Sequence, residues 1–189
     1  MNRQDVHQPL TDTRYLLDTA NSVGQTFRSS HDDLNIVSVC LRNPARLLTP
    51  LTFELYEEGK EVPLRVIAFS GGNVSEDDCT RLQFEPISDS RGTNYTFSLV
   101  SDGFVNPISA KNSMYMEVAD DSNYQDGTAL IDGAPIGMDT HFKTFYRQEN
   151  REVVRESIDQ FIHRLPLDLS FMIPYIILLG LVTYKLVRR

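Results

Sequence analysis

The sequence has no tryptophan, only two cysteines and no block of like charges. The first absence removes the residue that most readily forms the aromatic platform of a sugar site, and leaves that role to tyrosine. The second excludes a disulfide framework. With no CxxC, and with His7, His31, His141 and His163 scattered singly, it also excludes a zinc motif legible from spacing. The third, with a net charge of -8, argues against a nucleic-acid partner, because phosphate binding needs a concentrated basic patch. The acidity reads instead as solubility.

Catalytic signatures are missing as well. There is no GxSxG elbow, GxGxxG fingerprint, P-loop or HExxH, and Gly71-Gly72 runs into polar loop where a phosphate-binding helix would be needed. The expectation is a protein that is not an enzyme. Met1 to Pro9 contain no apolar run, so this stretch does not read as a secretory signal.

Long apolar runs are absent until the end of the chain. Leu169 to Tyr184 carry no charge, and Leu186 and Val187 extend the run past Lys185. At about 1.5 Å per residue, a helix from Leu165 to Val187 reaches roughly 34 Å, enough for a hydrocarbon core of roughly 30 Å. One C-terminal transmembrane helix over 165–189 is therefore expected. Tyr175 and Tyr184 would sit at the interfaces, Lys185 would snorkel, and Arg188 and Arg189 would stay among the headgroups. Lys185, Arg188 and Arg189 against Arg155 and Arg164 give a narrow positive-inside margin for a cytoplasmic C-terminus, with the preceding domain outside. Pro166 suits the first turn of this helix, whereas Pro174 lies inside it and suggests neighbouring helices.

Before the anchor, Val154, Ile158, Phe161, Ile162 and Leu165 recur at three-to-four spacing, which predicts an amphipathic linker helix over 148–164. From 15 to 147 the dominant period is two. Leu51, Phe53 and Leu55 alternate with polar neighbours, as do Leu82 and Phe84, and Tyr95, Phe97 and Leu99. Nine strands are expected, the others being Gln25 to Arg28, Leu34 to Arg42, Leu64 to Phe69, Ser113 to Val118, Thr128 to Ile131 and His141 to Tyr146. Asp102-Gly103, Asp126-Gly127 and Asp132-Gly133 punctuate them as turns. The fold class is all-β, an antiparallel β-sandwich with a closed barrel as the alternative, and residues 1–14 form a flexible leader.

Few residues suggest a ligand. Tyr56, Tyr95, Tyr115 and Tyr124 are the candidates for stacking on a sugar. Asp120, Asp121, Asn123 and Asp126 supply oxygens that could hold calcium, although turn chemistry explains the same residues and no other cofactor is implied. Cys40, in an apolar run, reads as an inert buried thiol. Pairing with Cys79, in a polar loop, stays open if the domain lies in an oxidising compartment.

The order Gly24-Gln25-Thr26-Phe27, Leu51-Thr52-Phe53-Glu54-Leu55, Phe84 to Phe97 (with Pro86-Ile87-Ser88-Asp89-Ser90-Arg91-Gly92), Tyr124-Gln125-Asp126-Gly127 and Asp139 to Tyr146 resembles an envelope β-sandwich of bacteria. That domain is similar to galactose-binding, carbohydrate-module-like jelly rolls and recurs beside the membrane helices of polysaccharide-handling proteins, glycosyltransferases among them. The resemblance covers about residues 15–147. It implies a jelly-roll-like domain in the cell envelope with a binding or scaffolding role toward a glycan or protein, and it transfers no catalytic residue. Membrane lipid and other transmembrane subunits are the further partners expected. An accessory subunit of a membrane complex, or a fragment of an envelope glycosyltransferase, is the alternative reading.

Overall fold

The computed structural model describes residues 2–8, 13–16, 22–74, 78–101, 114–119 and 124–148, and, further along, 158–160, 173–174, 177–178, 181 and 184. Two compact units divide the chain, one of Asn2–Arg147 and one of Met1 with Gln148–Arg189. The first is all-β and β-sandwich-like, with every strand pair antiparallel.

One sheet has the order β1 (Asn2–Gln8), β14 (Phe142–Arg147), β4 (Leu34–Val39), β8 (Thr80–Ile87). A second, of six strands, runs β12 (Ala134–Pro135), β11 (Ala129–Ile131), β3 (Ser22–Arg28), β9 (Asn94–Ser101), β6 (Pro50–Glu57), β7 (Arg65–Ser70). A small third sheet joins β13 (Asp139–Thr140), β10 (Tyr115–Ala119) and β2 (Thr13–Leu16), and β5 (Leu41–Arg42) also pairs with β10. Each of the nine expected strands has a counterpart here. The expected run from Leu34 to Arg42 breaks at Cys40 into β4 and β5, which lie in different sheets.

The alternation explains the burial. On β6, Leu51, Phe53 and Leu55 are buried while Thr52, Glu54 and Tyr56 are not. On β9, Tyr95, Phe97 and Leu99 face the same way. Phe142 of β14 meets both Phe27 and Phe97 of the six-stranded sheet at 5.8 Å between ring centroids. Phe53 stacks with Phe84 of β8 at 6.4 Å. These contacts span the gap between the two large sheets, and their residues belong to one hydrophobic cluster.

A buried polar joint ties the six-stranded sheet to the small one. The Gln25 side-chain amide donates to Asp139 Oδ1 at 2.8 Å, and its carbonyl accepts from the Thr140 backbone N–H at 2.9 Å. Asp139 Oδ2 accepts from the Tyr124 N–H. Gly127 permits the close approach of this loop to β3, since a Cβ there would fall on the Thr26 carbonyl. Asp132 and Gly133, both at positive φ, form the two-residue turn between β11 and β12.

Residues 2–8, expected within a flexible leader, instead form β1 on the sheet edge against β14. Its sequence is polar and offers only Val6 to the core. What holds it is main-chain pairing together with Asp5, whose almost fully buried carboxylate takes the Ser30 N–H at 3.0 Å and His31 Nδ1 at 2.8 Å. Most of the expected linker and transmembrane helices lies outside the described residues. Residues 158–160 are helical, and among the described residues no helix is long and apolar enough to cross a membrane.

Truncating the ring that bridges the sheets should cost the most. Phe142→Ala is expected to lower the urea unfolding free energy by about 3–5 kcal/mol, whereas a loss below about 1 kcal/mol would show that the sheets do not depend on this contact.

Candidate functional site

Four antiparallel ladders lead to one corner of the β-unit. The last pairs of β4 with β8, β14 with β4, β10 with β13 and β10 with β5 are Val39↔Thr80, Phe142↔Val39, Val118↔Thr140 and Met116↔Leu41. Extending each by one residue brings Cys40 opposite Cys79, Cys40 opposite His141, Glu117 opposite His141, and Glu117 opposite Cys40. The main chain bears this out. The Cys40 N–H donates to the His141 carbonyl at 3.0 Å, the His141 N–H to the Glu117 carbonyl at 2.8 Å, and the Glu117 N–H to the Cys40 carbonyl at 3.2 Å.

This closed triangle of backbone hydrogen bonds presents a compact set of side chains. Cys40, fully buried, forms a disulfide with Cys79, their Cα atoms 4.1 Å apart. Cys40 is therefore not the inert thiol the apolar run suggests. Both sulfurs and a ring nitrogen of His141 lie within 4.8 Å of one another. His141 Nδ1 sits 3.2 Å from Glu117 Oε2, and Arg42 Nε donates to Glu117 Oε1 at 2.9 Å. A carboxylate accepts, so in the neutral ring Nδ1 carries the proton and Nε2 keeps its lone pair. Nε2 is buried and has no hydrogen-bond partner among the described residues.

The surroundings disfavour the charged form of this imidazole. Burial holds His141 below the ordinary histidine value of 6.5; Glu117 opposes that shift, and Lys143 and Arg42 add to it. His7, whose ring centroid is 6.1 Å from that of His141, is also lowered, by burial and then by Lys143 and His141. Two sulfurs beside this imidazole, cross-linked as found and thiols once reduced, make a donor set suited to thiol–disulfide chemistry or, in the reduced form, to a borderline-soft metal.

The sequence-predicted site residues do not meet there. Tyr56 is half-buried on β6 and pairs in register with Thr96, so its ring is on the opposite face of the sheet from Tyr95. Its hydroxyl donates to Glu54 Oε2 at 2.6 Å, which pushes its pKa up to about 12. Tyr95 is 2% exposed and belongs to the core, where burial raises its hydroxyl. Tyr115 is half-buried on β10 in the small sheet. Tyr124 packs edge-on against Phe142 at 5.6 Å, accepts from the Arg28 N–H at 2.9 Å, and is raised chiefly by burial. The four rings thus form no common platform. Asp126 is exposed in a turn, and Asp120, Asp121 and Asn123 lie outside the described residues.

Two other features compete as sites. Asp5 and His31 form a carboxylate–imidazole pair, with the His31 ring stacked on Tyr146 at 4.2 Å. The nearby Ser29 hydroxyl lies 3.3 Å from Asp5 and 2.8 Å from the His31 carbonyl, so it serves the joint that holds β1 and does not sit as a nucleophile on the imidazole. A shallow cleft of about 460 Å³ is lined by Glu57, Arg65, Ser88, Asp89, Thr93 and Tyr95. Arg65 is engaged there by the carbonyls of Leu64, Glu85 and Pro86.

Two outcomes follow from the corner. Because His141 is held below its ordinary value, the unfolded chain binds more protons than the folded one as pH falls through 6.5. The contribution of His141 to stability is therefore full above that value and declines below it, and His141→Gln should flatten the decline between about pH 7 and 5, read from urea midpoints, with His7, also lowered, acting in the same direction. The disulfide closes a loop spanning a sequence separation of 39, so reduction should cost about 4 kcal/mol of stability through regained chain entropy, read by the same titration with and without a reductant. Compared with known proteins, no family model matches the chain and a search of curated proteins finds no significant similarity.

Proposed function

We propose that the chain is a single-pass membrane protein whose β-unit acts as a non-catalytic binding or scaffolding module at the membrane surface. The observation that carries this reading is in the C-terminal unit. Ile173, Ile177, Leu178, Leu181 and Tyr184 are helical, and each is between 51% and 61% exposed. Apolar side chains at helical spacing that are this bare in water are at home in lipid, and they fall within the uncharged run Leu169 to Tyr184.

The Cys40–Cys79 disulfide supports an oxidising compartment for the β-unit. With the basic C-terminal residues Lys185, Arg188 and Arg189, it favours an extracytoplasmic domain and a cytoplasmic tail. A jelly-roll-like, galactose-binding-like module of this kind would meet a glycan or a protein, and the cleft beside Arg65, with its hydroxyls and carboxylates, is where a hydroxyl-rich ligand would find partners. A second reading, an accessory subunit of a membrane complex, is favoured by Pro174. This residue is helical, and a proline inside a membrane helix is commonly accommodated by packing against neighbouring helices.

Carbonate washing of membranes followed by protease treatment of intact spheroplasts tests the reading. The protein should stay with the membrane pellet, and external protease should release a folded fragment of about the size of the β-unit. Extraction by carbonate would remove the anchor, and a fully protected β-unit would reverse the orientation.

A further inference from the structure

We propose that the corner formed by Cys40, Cys79 and His141 is a redox-gated site for a divalent transition metal, zinc foremost. Opening the disulfide with a dithiol reductant supplies two electrons and two protons. The reductant leaves as its own disulfide, and Cys40 and Cys79 become thiols. Metal binding then displaces both thiol protons to solvent and forms two metal–sulfur bonds and one bond to His141.

Three observations carry this. Both sulfurs and a ring nitrogen of His141 already lie within 4.8 Å of one another. A zinc ion with bonds of about 2.3 Å to sulfur and about 2.0 Å to nitrogen holds such donors within roughly 4 Å of each other, so the two sulfurs, about 2.0 Å apart while bonded, must part by roughly 1.7 Å once reduced. His141 is poised as a ligand, because Nδ1 is turned to Glu117 while the buried Nε2 lone pair has no partner among the described residues. That carboxylate–imidazole arrangement, with Glu117 itself held by Arg42 at 2.9 Å, is the outer-sphere support that fixes a metal-bound histidine. Finally, the backbone triangle through Cys40, Glu117 and His141 fixes two of the three ligands before any ion arrives. Three protein ligands leave a fourth position for water or for His7, whose ring centroid is 6.1 Å from that of His141.

Metal specificity follows from the donors. Two thiolates and an imidazole suit zinc and cobalt, and discriminate against magnesium and calcium, which take oxygen ligands. The same two sulfurs cannot be cross-linked and metal-bound at once, so the oxidation state of the pair decides whether the site exists.

The test uses the full chain in detergent, with cobalt(II) as a spectroscopic probe and zinc as competitor. The reduced protein should take up one cobalt per chain, with a thiolate-to-cobalt charge-transfer band and tetrahedral d–d absorption, and zinc should bleach both. The oxidised protein should show neither. Glu117→Gln should weaken binding by about 10–100-fold while leaving the thiolate band in place, and His141→Gln should weaken it further and shift the d–d bands. Absence of stoichiometric uptake by the reduced chain, equal uptake by the oxidised chain, or unchanged bands in a folded His141→Gln variant would each overturn the proposal. If reduction alone unfolds the β-unit, zinc should restore its near-ultraviolet circular dichroism, and failure to do so counts against the site. If His141→Gln does not fold, Glu117→Gln and the comparison of reduced with oxidised wild-type protein decide the matter.

Discussion

The packing of Phe142 against Phe27 and Phe97 is the constraint on which the rest of the β-unit depends. It is the contact through which β14, central in its sheet between β1 and β4, meets the middle of the six-stranded sheet. Because side chains alternate along a strand, burying Phe142 and Thr144 on one face commits His141 and Lys143 to the other. The core therefore decides where the imidazole of the corner site stands. A register slip of one residue would remove Phe142 from the core and His141 from the corner together. Thr144 extends the same logic to the edge, since its hydroxyl accepts the Val6 N–H at 3.0 Å and helps hold the polar strand β1.

What could be read in the sequence was periodic burial. Leu51, Phe53 and Leu55, and Tyr95, Phe97 and Leu99, announce half-buried strands because each buries every second side chain. Asp132-Gly133 announces its turn because both residues must adopt positive φ. Strand β1 carries no such signal. Asn2 to Gln8 are polar apart from Val6, and the strand exists because β14 offers a free ladder edge and because a buried aspartate finds His31 and Ser30 across the fold. Propensity and pattern act locally, whereas this strand is bought by tertiary contacts alone.

The corner site was illegible for a related reason. Cys40, Cys79, Glu117 and His141 are scattered over about a hundred residues, and no motif links them. Their meeting is a product of register in four ladders at once. The one local sign is weak: a run expected to be one strand from Leu34 to Arg42 contains a cysteine at the point where it changes sheets. For the tyrosines the failure is of another kind. Tyr95 and Tyr56 are near in register but on opposite faces, so counting aromatics could not distinguish a core ring from a surface ring without knowing which face was wet.

The compartment and the chemistry of the corner are tied by one pair of atoms. If the β-unit is outside the cytoplasm, the oxidising environment keeps Cys40 and Cys79 cross-linked and the corner serves stability, trimming the entropy of an unfolded chain across the 39-residue separation. If it faces a reducing solution, that constraint is lost, and a metal bridging the same two sulfurs and His141 would close the same loop by another bond. Either linkage joins the turn before β8 to the junction of β4 and β5, the point where one sheet hands over to the next. Four ladders end at this corner, which the disulfide ties as found and which, on the proposal above, a metal held by the same two sulfurs and His141 would tie once they are reduced. On that proposal the buried Nε2 of His141, which has no partner among the described residues, supplies the lone pair the metal would take.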